Sequence, residues 1–143
     1  MNRYSKIGSL NAVTVACIGL LAFSTGPAAA KDMTVNLVGS QEVPPVTTTA
    51  TATGTISVGD DKSVKGSVTT KDIAATAAHI HEGAAGKNGP VIVPMTKSGD
   101  TFAIAPGAKL TDAQMESLKA GNLYVNVHSA AHPGGEIRAQ LAP

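Results

Sequence analysis

From Thr49 to Val58 the side chains alternate without a break. Thr49, Thr51, Thr53, Thr55 and Ser57 fall on one side, and Ala50, Ala52, Gly54, Ile56 and Val58 on the other. A repeat of two is that of a pleated strand, whereas a helix would scatter the same residues around its axis. One hydroxyl face and one apolar face describe a half-buried strand. Gly59-Asp60-Asp61 is a turn signal, and alternation resumes through Val64, Gly66 and Val68, so the two runs read as a hairpin. An ice-binding face would need Thr-x-Thr rows on several neighbouring strands. Only this one run stands out, so it reads as a solvated face.

The same period recurs along the chain. Val35 and Leu37, Val91 to Met95, Phe102 with Ile104, Leu123 to Val127, and Ile137 to Leu141 each mark a short strand. Pro44-Pro45 forces an extended segment that cannot be a central strand. One helix is predicted: Thr111 is its N-cap, Gln114 completes a capping box, and Gly121 supplies a left-handed stop. About eight strands with turns roughly every 10 residues predict an all-β fold. The expected form is an antiparallel Greek-key sandwich or barrel with one short crossover helix.

Residues 1–30 read as a signal peptide. Arg3 and Lys6 give a basic start, Ala12 to Phe23 an apolar run too short to span a membrane, and Pro27-Ala28-Ala29-Ala30 a small-residue cleavage site. Cleavage after Ala30 leaves residues 31–143 as one periplasmic or secreted domain, with no membrane attachment. Cys17 departs with the leader, so this exported domain has no disulfide and must fold on packing. Of eleven Lys and Arg, two leave with the leader, and the remaining nine face ten Asp and Glu. That balance argues against a nucleic-acid or anionic-membrane surface. Phe102 and Tyr124 are the only aromatic residues left, too few for stacked sugar or base recognition.

The chemistry-bearing residues are the four histidines. In Ala78-His79-Ile80-His81-Glu82-Gly83 a strand would point both imidazoles to one face, with a glycine-rich loop directly after them. His128 ends the run that contains Val125 and Val127 and points away from them; His132 lies in the Pro-Gly-Gly loop beyond. With no thiolate available, imidazole donors suit copper, and after it zinc. His79, His81 and His128 are the candidate ligands, with His132 a possible fourth. Glu82 and Glu136 are candidates to accept the outer ring N–H. The competing reading is structural: imidazoles that hydrogen-bond loop backbone in a non-metal interaction or adhesion domain, with the Gly83 to Gly89 loop as partner surface. Glu136 and Arg138, two apart, are expected to form a surface ion pair. Nucleophilic catalysis has no support, since no Gly-x-Ser-x-Gly elbow and no mature cysteine exist. The expectation leans away from an enzyme.

Four ordered motifs carry a family resemblance. They are Gly39-Ser40-Gln41-Glu42-Val43-Pro44-Pro45-Val46; Ala78-His79-Ile80-His81 with Gly86 and Asn88-Gly89-Pro90-Val91; Leu123-Tyr124-Val125-Asn126-Val127-His128; and Pro133-Gly134-Gly135-Glu136-Ile137-Arg138. Together they resemble the CHRD domain, named for its repeats in chordin and also found as single-domain exported bacterial proteins. The resemblance implies a β-rich module over about Thr34 to Leu141; Ala139 stands where the family pattern has glycine. The His-Ile-His strand is also similar to the His-Val-His strand of copper/zinc superoxide dismutase. That likeness implies three copper ligands at His79, His81 and His128. The bridging histidine, zinc ligands and disulfide of that enzyme have no counterpart, so dismutase-like redox activity is a third reading.

Overall fold

The computed structural model describes Met1 and residues 29–143, so the signal-peptide expectation concerns residues almost wholly outside it. Eight strands follow in order: β1 Ala30–Val38, β2 Thr51–Gly59, β3 Val64–Lys71, β4 Ala75–Glu82, β5 Val91–Ser98, β6 Thr101–Ile104, β7 Leu123–Ser129 and β8 Ile137–Leu141. All pairings are antiparallel, and the strands close into a barrel in the order β1-β2-β3-β6-β5-β4-β7-β8. β4, β5 and β6 form a meander, and β7 returns to lie beside β4. That is a Greek key. The helix α1, Asp112–Lys119, sits in the long return from β6 to β7, the crossover position expected for it. Thr111 accepts from the Gln114 N–H at 3.2 Å, and the Thr111 N–H donates to the Gln114 side chain at 2.9 Å. Gly121, at φ +73°, ends the helix.

The apolar faces meet inside the barrel. Leu37, Ile56, Val68, Ile80, Phe102, Val125 and Ile137, from seven different strands, are all essentially inaccessible to water. On the outside, register extends the hydroxyl run further than the sequence suggests. Thr53 pairs with Asn36 and Thr69, and Thr69 with Thr101; Thr55 pairs with Thr34 and Ser67. The rows therefore cross four strands of the closed barrel. Between β2 and β3 the backbones approach closely at Gly54 and Gly66. A Cβ there would collide with the carbonyl of Ser67 or Thr55 respectively, and Gly66 also holds φ +137°.

The outer face of β4, β7 and β8 differs from the rest of the wall. Every residue of β7 is buried, on both faces. Loops after β1, β4 and β7 cover this patch, so most polar side chains directed outward are buried, with His79 and Gln140 only partly so. Arg138 is 1% exposed and donates to the Ala84 carbonyl at 3.1 Å and to the Asn88 and Gln140 side chains. Glu136 accepts from Thr48 at 2.7 Å and from Ser129 at 2.5 Å. The expected Glu136–Arg138 surface pair is thus corrected. Both residues are buried, and no ion pair between them occurs among the described residues.

Gly66→Ala tests the close strand approach. It should lower unfolding free energy by about 2–4 kcal/mol in urea denaturation, with no change in the denaturant slope.

Candidate metal centre

Strand register assembles the site. β4 and β7 pair so that His79 lies opposite Asn126, His81 opposite Tyr124, and Ala77 opposite His128. His128 is thus the diagonal neighbour of His79 on the outer face, a separation long side chains bridge. Ring centroids are 4.9 Å apart for His79 and His128, 5.6 Å for His79 and His81, and 6.0 Å for His81 and His128. One ring nitrogen from each lies within 4.8 Å of the other two. Residues 49 positions apart in sequence converge because the pairing of β4 with the buried β7 holds them there.

Hydrogen bonding assigns the protons. His128 Nδ1 lies 3.0 Å from the Pro133 carbonyl, and His81 Nδ1 lies 2.9 Å from the Gly89 carbonyl. A carbonyl only accepts, so both Nδ1 atoms carry hydrogen and both neutral rings present a bare Nε2 lone pair. His79 Nδ1 lies 3.0 Å from His128 Nε2 and donates to it. His81 Nε2 is buried and has no hydrogen-bond partner. Two of the three imidazoles are satisfied by each other and by backbone; the third keeps an unused acceptor in a dry place. Burial and neighbouring histidines push the His79 pKa down. Burial also lowers that of His128, against the opposing Pro133 hydrogen bond. Neutral imidazole is the metal-binding form.

The surrounding layer fixes the rings. Tyr124 stacks on His81 with centroids 4.8 Å apart and planes 7° from parallel, and its hydroxyl accepts from the Gly89 N–H at 3.2 Å. Arg138 Cζ stands 3.4 Å from the Tyr124 ring centre. Gly89 thus binds Tyr124 through its N–H and His81 through its carbonyl. A side chain there would collide with the Glu82 carbonyl, so glycine is required. Glu42, 3% exposed, comes from the loop after β1; burial raises its pKa, while a hydrogen bond from Asn126 and the charge of Arg138 oppose the rise.

His79, His81 and His128 are brought together as the strand faces predict; His132 is not in the group. Its backbone N–H bonds Ser129 in the turn after β7, and its side chain borders a separate cleft with Asn88 and Pro133. Glu82 accepts from Ser117 of α1 at 2.5 Å. The pKa of Glu136 is raised by burial, but the Ser129 and Thr48 hydrogen bonds outweigh this and hold it below the ordinary carboxylate value. Neither carboxylate makes a hydrogen bond to an imidazole; the carbonyls of Gly89 and Pro133 stand in the roles expected of them. Sequence reading missed Asn126, Tyr124, Arg138 and Glu42 as parts of the site. The available signal was the polar alternation of Tyr124, Asn126 and His128 on one face.

A family model described as the CHRD domain matches residues 33–141. No curated protein and no solved structure gives a match.

The pH dependence follows from the imidazole shifts. Folded His79 and His128 titrate below the ordinary 6.5, so on acidification the unfolded chain takes up protons first. Their contribution to stability is therefore present above pH 6.5 and is lost as pH falls through the folded values. Urea midpoints should decline between about pH 7 and pH 5, and His79→Gln with His128→Gln should flatten that part of the profile. A wild-type midpoint constant across this range would contradict it.

Proposed function

The chain belongs to the CHRD-domain family, and from that premise we propose that it is an exported transition-metal binding module. His79, His81 and His128 hold the ion, copper in preference to zinc, and the domain binds or carries it without turnover. The observation that supports this most is the buried, unpaired Nε2 of His81, on a ring that offers a nitrogen within 4.8 Å of one from each of the other two imidazoles. A buried acceptor without a partner costs roughly 1–3 kcal/mol, and a cation would remove that cost.

The distances suit an ion after a small adjustment. Ligands at about 2.0–2.1 Å from a metal stand about 3.4 Å apart in a tetrahedral set and about 3.5 Å apart in a trigonal one. The 3.0 Å between His79 and His128 nitrogens and the 4.8 Å limit on the group bracket that spacing. Coordination through His79 Nδ1 moves its proton to Nε2, which remains a neutral tautomer. Three nitrogens and no thiolate suit copper or zinc, and among divalent ions intrinsic affinity ranks copper above zinc. Residues 1–30 support a periplasmic or secreted location.

The second reading is a protein-interaction domain with structural histidines. It is favoured by the bonds that His79 and His128 already make to each other and to Pro133. It leaves His81 Nε2 unexplained. A dismutase-like enzyme would need the same site with an open coordination position and measurable superoxide turnover.

Purified mature protein should bind one copper per chain and gain on the order of 10 °C in Tm at free metal about a hundredfold above Kd. His79→Ala and His128→Ala should each abolish stoichiometric binding and the Tm gain. Binding unchanged in both variants would leave the interaction reading in its place.

A further inference from the structure

We propose that this site, on the reading that it binds copper, stabilises the cuprous ion, with Tyr124 and Arg138 as positioning residues that disfavour the cupric state. The donor set is three neutral imidazoles. The two carboxylates nearest in sequence to the ligand strands are engaged elsewhere, Glu82 with Ser117 and Glu136 with Thr48 and Ser129. Where many metal-bound histidines are backed by carboxylates, His81 and His128 are backed by carbonyls, which carry no net charge to offset a second positive charge on the metal.

Behind His81 stands a guanidinium. The Tyr124 ring centre is 4.8 Å from that of His81, and Arg138 Cζ is 3.4 Å from the same Tyr124 ring centre. The guanidinium therefore stands at most about 8 Å from the His81 ring. Arg138 is 1% exposed, so solvent screens it weakly. Glu42 is the carboxylate acting on this guanidinium; burial raises its pKa, while hydrogen bonds from Asn126 and Val43 and the Arg138 charge lower it. Going from cuprous to cupric copper adds one unit of charge. Against a fixed cation about 10 Å away in a partly buried setting, that unit is worth about a tenfold change in an equilibrium constant.

The same two residues hold the geometry. Arg138 donates to the carbonyl of Ala84 and the side chain of Asn88, both in the loop that carries Gly89. Gly89 in turn positions Tyr124 and His81. Charge and placement thus reach the ligand through one short chain of contacts.

Competition titrations with chelators specific for each oxidation state test the proposal on wild type, Arg138→Gln and Arg138→Lys. Zinc binding by each variant reports that its site is assembled. Wild-type protein should bind cuprous copper at least about tenfold more tightly than cupric. Arg138→Gln should lower that ratio about tenfold, a fall of about 59 mV in the midpoint potential, while Arg138→Lys stays within about threefold of wild type. Cupric binding as tight as or tighter than cuprous in wild type overturns the proposal, even if Arg138→Gln does not fold. So does a folded, zinc-binding Arg138→Gln with an unchanged ratio. Failure of wild type to bind copper in either state removes the underlying copper reading and this proposal with it.

Discussion

A sheet face that is both polar and buried must satisfy its own hydrogen bonds, and most of this site depends on that constraint. β7 is covered on both sides, by the apolar interior and by three loops. Water that would normally solvate Asn126, His128 and Arg138 is excluded. Each polar atom is therefore held by a named partner or left without one at a cost. Arg138 uses its planar fork on Ala84, Asn88 and Gln140 while lying against Tyr124. The loops are drawn onto the barrel by these bonds, and their carbonyls at Gly89 and Pro133 then orient His81 and His128. The layer that closes the fold is the layer that aims the imidazoles.

Much of the fold was legible because period-two alternation is a local property. The hairpin of β2 and β3, the β7–β8 hairpin and the Thr111 capping box each follow from residues close together in sequence. Barrel closure is not local, and neither is the depth of a covering loop. Arg138 looked like a surface residue because its neighbours in sequence, Ile137 and Ala139, face inward. Nothing nearby announces that Ala84 and Asn88 will lie over it. The same omission hid Glu42, which sits before Pro44-Pro45 in a segment with no periodic pattern.

The site itself was half legible. Strand faces alone put His79 and His81 together and pointed His128 outward, but only the β4–β7 register decides whether they meet. A slip of one residue in that pairing would turn His128 inward and abolish the group. The carboxylates expected behind the rings were displaced for a physical reason. Glu82 ends β4 beside α1, where the Ser117 hydroxyl takes it, and Glu136 is claimed by Thr48 from the β1–β2 connection. Backbone carbonyls were available at no cost in charge burial, which is a reason for a buried layer to use them.

His81 is the residue on which the structural and metal-binding readings separate. A purely structural layer needs donors matched to acceptors, and for His79 and His128 the match is complete at the nitrogens that face each other. At His81 the donor side is spent on Gly89, fixing the tautomer so that the acceptor side faces inward with nothing to accept. Were this ring only a packing element, any flat apolar side chain could stack on Tyr124 without the unpaired nitrogen. Glycine at position 89 permits that carbonyl approach, since a side chain there would strike the Glu82 backbone. The chain thus maintains a constrained backbone position whose effect is to hold a bare imidazole lone pair in a dry cluster. A bound cation would give that lone pair a partner, whereas the hydrogen bonds among the described residues leave it, like the buried Glu42 Oε1 and Asn126 Oδ1, without one.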